Sequence, residues 1–201
     1  MTRKKERIIM IDRRVQKTLV SLHQALIALI LEKGYDAITV KDIIDRANVG
    51  RSTFYTHYLS KEHLLQGGLD DLGKILLTNQ KLGRTQVGKA AVRFAFSSAL
   101  FDHAHGYKNV YRAMVGKHAG AVVTNRLSKV LTDLVKEDLS AIKFFQSAQN
   151  VPPTVMIQFI VGAIMSVLTW WVDEPKEYSA EEVDAIFRRL TFGAIDFPND
   201  K

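Results

Sequence analysis

Between Thr39 and Leu65 the chain reads TVKDIIDRANVGRSTFYTHYLSKEHLL, and no other stretch limits the possible folds as strongly. Thr39 stands three residues ahead of Asp42, the spacing of a capping box, and opens a short helix through Ile43, Ile44 and Ala47. Asn48-Val49-Gly50 follows as a tight turn, with Asn and Gly supplying the backbone freedom it needs. A second short helix, about Arg51–His57, comes next. Val40, Ile43, Ile44, Ala47, Val49, Phe54, Leu64 and Leu65 supply a small shared core, and the small Ala47 lets the helices cross closely. The outward set on the second helix is then Arg51, Ser52, Tyr55 and Thr56, donors suited to base edges and phosphates. Two short helices across a tight turn, after a longer first helix, form a helix-turn-helix, whose second helix fits the major groove of a DNA duplex.

The same stretch resembles the N-terminal DNA-binding domain of the tetracycline-repressor (TetR) family. Thr39, Ile43, Ala47, Val49, Thr53, Tyr55, His57, Lys61, Leu64 and Leu65 stand at that family's spacing, and Arg13-Arg14 with the Leu19–Gly34 segment resembles its first helix. The chain departs from the pattern at Asn48, where the turn usually has Gly, at Gly50, in place of a small polar residue, and at Tyr58, in place of Phe. Asn tolerates a left-handed backbone, which preserves the turn. The resemblance implies that Lys41, Arg51, Ser52, Tyr55 and Thr56 approach bases. It also implies that Thr39, Tyr55, His57 and Lys61 touch or clamp phosphates. The physics agrees, since an Arg forks onto guanine while hydroxyls fix register on the backbone. Core packing is the competing role for Tyr55 and His57, and plain solvent exposure for Arg51.

Charge supports a polyanion at one end. Of a net +7, residues 1–66 carry +5 and residues 67–132 carry +7, whereas 133–201 carry −5. Arg3, Lys4, Lys5, Arg7, Arg13 and Arg14 crowd the start against Glu6 and Asp12. Such an arm lies on phosphate, enters a neighbouring minor groove, or merely solubilises. The absence of Cys excludes disulfides, thiolate nucleophiles and cysteine-based metal sites, and agrees with a cytoplasmic setting. The only apolar run near the start, Ile8–Ile11, is too short for a signal-peptide core. Val155–Val172 is uncharged and at the lower limit for a membrane span. Gln158, Ser166 and Thr169 interrupt it, and a buried interface helix reads the same way, so no membrane association is expected.

The remaining segments also read as helix, giving an all-α chain of about nine helices. Expected are Thr18–Leu31 stopped by Gly34, a helix from Ser60 to about Thr78 weakened by Gly67, Gly68 and Gly73, and a break at Gly83-Arg84-Thr85. Val87–His103, a turn at His105-Gly106, Tyr107–Val115, a loosening over Gly116–Gly120 and a long helix Thr124–Phe145 follow. Pro152-Pro153 opens the apolar helix, and a Ser179/Glu182 capping box opens the last one, through about Gly193. The domains read as a basic arm (1–14), a helix-turn-helix domain (15–66) and a helical regulatory and dimerisation body (67–201).

In the body, Leu100–His103, Val110–Arg112, Gly116, Gly120, Trp170-Trp171, Tyr178-Ser179 and Glu181-Glu182 resemble a common regulatory-domain variety of the family, some of whose members are coactivators. Phe94, Phe101, Tyr107, Tyr111, Met114, Met156, Phe159 and Trp170 are candidates to line an effector cavity, with plain core packing as the alternative. A single short recognition helix reads too few base pairs alone, which calls for a two-fold dimer. Val161, Ile164, Met165 and Leu168, with Val183, Ile186, Phe187 and Leu190, are the candidate seam, and Gly162 and Ala163 would allow close approach. Enzyme signatures fail. Gly83–Ala90 resembles a phosphate loop but ends in Ala90 without the metal-binding hydroxyl and follows no strand. Asp102, His103, His105 and His118 are too scattered to claim a metal, and no cofactor is expected. The resulting expectation is a homodimeric repressor, released from palindromic double-stranded DNA by a small apolar or aromatic effector. A coactivator whose body binds a partner protein is the alternative.

Overall fold

The computed structural model describes residues 2–85, 94–114, 118–141 and 151–195, with side chains placed for 13–85, 94–114, 120–140 and 151–193. Among these residues there are nine α-helices, one 3₁₀ turn and no strand, which is the all-α class read from the sequence. The helices are α1 (Thr2–Lys33), α2 (Val40–Ala47), α3 (Arg51–His57), α4 (Lys61–Thr85), α5 (Phe96–Gly106), α6 (Lys108–Met114), α7 (His118–Ala141), α8 (Pro153–Asp173) and α9 (Ala180–Ile195). The 3₁₀ turn is Tyr35–Ala37. The chain forms two compact units, Met1–Leu69 with Ala113–Val123, and Asp70–Arg112 with Thr124–Lys201.

In the first unit the local signals act as read. Gly34, at φ 75°, ends α1. Thr39 and Asp42 close a reciprocal capping box on α2, and Asn48 ends that helix left-handed at φ 52°. Behind them, Leu22, Leu26, Leu29 and Ile30 of α1 are buried, as are Ile43, Phe54 and Leu64, and α1 packs on α2. Salt bridges Arg46–Glu32 and Lys33–Asp42, at 2.6 and 2.9 Å, link α2 to α1.

Lys61, an expected phosphate contact, is engaged within the protein. Its Nζ donates to the carbonyls of Tyr35, Asp36 and Ile38 at 3.0, 3.3 and 2.8 Å and lies 4.5 Å from the centre of the Tyr35 ring. These carbonyls belong to an irregular turn with few partners of its own, and an ammonium with three donors satisfies them together.

Helix α4 runs unbroken through Gly67, Gly68 and Gly73, and through Gly83-Arg84-Thr85, where the sequence predicts a break. The glycines are there for proximity. A Cβ at Gly67 would stand 3.0 Å from Tyr58 Cε1, one at Gly68 3.2 Å from His23 Nδ1, and one at Gly73 3.2 Å from Val130. Tyr58 cannot give way easily. Its hydroxyl shares a 3.0 Å hydrogen bond with His23 Nε2, and its ring meets those of Phe54 and His63.

The second unit has a core of Leu72 and Leu76 (α4), Leu100 and Phe101 (α5), Leu127–Leu139 positions of α7, Ile160–Val172 positions of α8, and Val183 and Phe187 (α9). α5 packs on α8 and α9, and α8 packs on α9. The Trp171 indole N–H donates to the Tyr178 carbonyl at 3.0 Å, closing the α8–α9 connection. The Ser179/Glu182 capping box forms as read.

Several expected boundaries move. α1 starts at Thr2, and α5 starts at Phe96 and contains His105-Gly106, so the chain turns at Tyr107. α7 starts at His118, taking in Gly120. The expected stretches 86–93, 115–117 and 142–145 lie outside the described residues, as does most of the phosphate-loop resemblance. So do the side chains of the arm's Arg3, Lys4, Lys5 and Arg7, and that of His118.

Two substitutions test this packing. Gly67→Ala should lower the urea midpoint, a net loss of about 1 kcal/mol, because the clash with the pinned Tyr58 ring exceeds the helix-propensity gain. Lys61→Met should cost about 2 kcal/mol by leaving three carbonyls without their cation, read as a lower thermal midpoint at unchanged native helicity.

Candidate functional site

α3 is seven residues long and buries Phe54 completely, with Tyr58 buried just past its end. Burying Phe54 inward turns Arg51, Ser52, Tyr55 and Thr56 to solvent, since positions i, i+1, i+4 and i+5 share a helix face. Tyr55 is 43% exposed and stands edge-on to Phe54, while the Arg51 guanidinium lies 5.7 Å from the Tyr55 ring centre. Thr53, one of the residues at the family spacing, is also exposed. Lys41 is exposed near the start of α2, and His57 is half-buried in the last position of α3.

Not every expected contact residue is available. The Thr39 hydroxyl donates to Asp42 Oδ2 at 2.6 Å and accepts the Asp42 N–H at 3.2 Å, so it is spent on the cap. That capped carboxyl is held well below the usual range by the Thr39 hydroxyl, with the Lys33 ammonium adding to it. The Thr56 hydroxyl donates to the Ser52 carbonyl at 2.9 Å and offers only its lone pairs outward. Lys61 is engaged as described above. The geometry therefore keeps Arg51, Ser52, Tyr55, Lys41 and His57 from the expected set as groups with polar atoms open to a ligand. On α1, Arg13, Gln16, Lys17, Val20 and Ser21 line an open groove of about 430 Å³, which no motif in the sequence marks.

The candidate effector residues are not gathered around one space. Phe94 and Phe101 are fully buried and packed ring to ring, Phe94 on Phe96, Phe187 and Phe192, Phe101 on Trp171 and Phe187. Both are core. Met114 is buried and falls in the first unit. Phe159, 48% exposed, and Trp170 lie on the outer face of α8. Met156 and Tyr111 pack half-buried on the core, and Tyr107 is exposed. His103 meets Tyr107 and Tyr111 with ring centres 4.6 and 6.4 Å apart. Burial lowers the His103 pKa and pushes that of Tyr111 up to about 12, so the imidazole and the phenol are both neutral near pH 7.

The candidate seam also needs correction. Val161, Ile164, Leu168, Val183 and Phe187 are buried in the core of their own unit, and Met165 and Ile186 are half-buried. Only Leu190, 60% exposed, faces outward. α8 is apolar nearly all round, so periodicity could not say which side faces in. The outward side carries Val155, Phe159, Gly162, Ser166 and Trp170, joined on α9 by Ala185, Arg189 and Leu190. A Cβ at Gly162 would meet nothing within 4 Å, so packing inside the unit does not require glycine there. Among the described residues no three His, Asp or Glu side chains gather as metal ligands.

Comparison with known proteins agrees with this architecture. Residues 22–67 match the model of the bacterial regulatory proteins of the tetR family, and residues 94–193 match a transcriptional regulator C-terminal region. The chain is 47% identical over 57 residues to the uncharacterized HTH-type transcriptional regulator YxbF of Bacillus subtilis, a match covering 28% of this chain and 15% of that much longer protein. The structure of a TetR transcriptional regulator from Streptococcus agalactiae is 26% identical, with TM-score 0.61 over 92% of this chain and 98% of that one. Two more distant structures share the fold. One is NalD, described as the secondary repressor of the MexAB-OprM multidrug efflux pump in Pseudomonas aeruginosa (15% identity, TM-score 0.68, covering 92% and 100%). The other is a SmeT–triclosan complex (14%, 0.67, covering 88% and 90%). With the helix-turn-helix unit and the helical body matched separately, and each seen folded as expected, the chain belongs to the TetR family of bacterial regulatory proteins.

Proposed function

We propose that the protein is a homodimeric, sequence-specific DNA-binding repressor that leaves a palindromic operator when a small apolar or aromatic effector binds its body. The observation that carries the reading is the outward face of α3. Arg51, Ser52 and Tyr55 are exposed together there, on a helix held from behind by Phe54 and Tyr58. A guanidinium in that place forks onto guanine O6 and N7 in the major groove, and the hydroxyls fix the register on phosphate. Lys41, exposed and in no ion pair among the described residues, supplies a sequence-independent phosphate contact. Repression and effector release are supported by likeness of fold to NalD and to SmeT with its triclosan.

The second copy pairs through the outer faces of α8 and α9. An apolar row broken by Gly162 and Ser166 suits a helix crossing at close range, and Phe159 and Leu190 gain the most from being covered. The effector meets the His103–Tyr107–Tyr111 group, whose rings give apolar contact and whose neutral imidazole and phenols give hydrogen bonds. A hundredfold loss of operator affinity requires the effector to prefer the non-binding conformation by about 2.7 kcal/mol per dimer.

Duplexes selected from a randomised library by the wild-type protein test the first part. Arg51→Ala should relax preference at one position of each half-site, about 1–3 kcal/mol there. Lys41→Ala should weaken every sequence alike and lower the salt slope by about one. Equal losses on selected and random DNA in both variants would remove Arg51 as a reader.

Sedimentation tests the pairing. The Phe159→Asp, Leu190→Asp double variant should run as a folded monomer, whereas Ile164→Asp should fail to fold, because a buried unpaired charge costs several kcal/mol. A wild-type protein that is monomeric at micromolar concentration contradicts the dimer. A chemical library in which no compound changes operator affinity or melting temperature contradicts the effector.

A further inference from the structure

An arginine reads guanine only when its guanidinium plane meets the base edge squarely, and an exposed arginine has several side-chain torsions with which to miss it. Arg51 has little to hold it. It is the first residue of α3, and the preceding Gly50 offers no side chain to the helix end. Among the described residues Arg51 enters no ion pair and donates no side-chain hydrogen bond. What it has is Tyr55. Side chains on an α-helix lean toward its N-terminus, and the Tyr55 ring, one turn on, has its centre 5.7 Å from the Arg51 guanidinium carbon. That ring is fixed in turn. It meets the fully buried Phe54 edge-on, with ring centres 5.3 Å apart and planes at 86°. Direction passes from the core through Phe54 and Tyr55 to the guanidinium.

The kind of contact matters as much as the distance. A carboxylate holds a guanidinium by its N–H groups and leaves fewer of them for a base. Glu32 does this to Arg46, whose Nη1 and Nη2 donate to it at 2.8 and 2.6 Å. An aromatic face attracts the cation through its quadrupole instead. The N–H donors lie in the guanidinium plane, so stacking leaves them all open to acceptors.

We propose that Tyr55 is the positioning residue of Arg51, and that base preference at the Arg51 position depends on an aromatic ring at 55 and not on its hydroxyl. The inference rests on the reading of Arg51 as the guanine contact, and it leaves the hydroxyl its separate contact with phosphate. Stacking confines the guanidinium before DNA arrives, so less freedom is lost when it forks onto guanine. A base pair that cannot take the fork gains nothing from the confinement. Preference therefore rises, while affinity for random sequence does not. Arg51, Phe54 and Tyr55 all belong to the first unit, and the effect needs nothing from the second.

Two variants separate ring from hydroxyl. Tyr55→Phe keeps the ring, and Tyr55→Leu keeps an apolar side chain at this exposed helical position without it. NMR reads the free proteins. The Arg51 δ-methylene protons should be shifted upfield by the ring current in the wild type and in Tyr55→Phe, and should lose that shift in Tyr55→Leu. The DNA probes are the duplex that the wild-type protein selects from a randomised library, and the same duplex carrying each other base pair where Arg51→Ala relaxes the preference. Tyr55→Phe should bind all of them more weakly by one common factor and keep the preference within twofold of wild type. Tyr55→Leu should lower the preference at least threefold, and adding Arg51→Ala should then cost it less than in the wild type. An Arg51 side chain with no upfield shift in the wild-type protein overturns the proposal, whatever the DNA shows. A preference lost equally in Tyr55→Phe and Tyr55→Leu gives the role to the hydroxyl and overturns it too, as does a smaller loss in Tyr55→Leu. If Arg51→Ala relaxes no base pair, the guanine reading fails and takes the proposal with it. A persisting upfield shift then distinguishes that failure from a missing stack.

Discussion

A helix of seven residues has no stability of its own. α3 exists, and points where it does, because Phe54 is fully buried and because the chain on either side of it is fixed. Asn48 fixes the approach by turning left-handed. Tyr58, bonded to His23 and seated over Gly67, fixes the exit. Lys61 then ties the first turn of α4 to the irregular carbonyls that precede α2. The exposed Arg51, Ser52 and Tyr55 inherit their direction from these buried contacts. Their chemistry is ordinary, and what sets them apart is their common direction.

The same logic separates positioning from contact in this unit. Thr39, Thr56 and Lys61 have residue types that suit phosphate, yet each spends its polar atoms on the protein. An ammonium shared by three carbonyls gains more by staying than by exchanging them for a screened surface phosphate. What reaches outward is the smaller group left after the internal hydrogen bonds are satisfied.

The helix-turn-helix was legible in the sequence because its determinants are local. A cap three residues from its partner, an Asn in a turn and one inward Phe are all read within 20 residues. The body was less legible, for identifiable reasons. α8 is apolar on nearly every side, so Ile164 and Phe159 look alike in sequence, although one is buried and the other exposed. The continuity of α4 through its glycines depends on Tyr58, His23 and Val130, which periodicity cannot place beside it. Phe94 carries no sign in the sequence of its left-handed backbone, at φ 53°, since the groups bonded to its N–H and carbonyl, Asp138 and Arg188, are 44 and 94 residues away. Large side chains suggest a cavity, but Phe94 and Phe101 fill the core while Tyr107, Phe159 and Trp170 are exposed.

On the proposed function, the outward face of α3 lies in the major groove, twice per dimer. Because the chain has no cysteine, Ser52→Cys introduces a single thiol per protomer on that face. Disulfide trapping against duplexes carrying one thiol-tethered cytosine in the major groove, moved base by base along the selected sequence, reports where that face sits. Trapping is expected at two clusters of positions related by two-fold symmetry, one helical turn of about 10 base pairs apart or a multiple of it. Trapping spread evenly along the duplex, or none at any position while the protein remains bound, would contradict it.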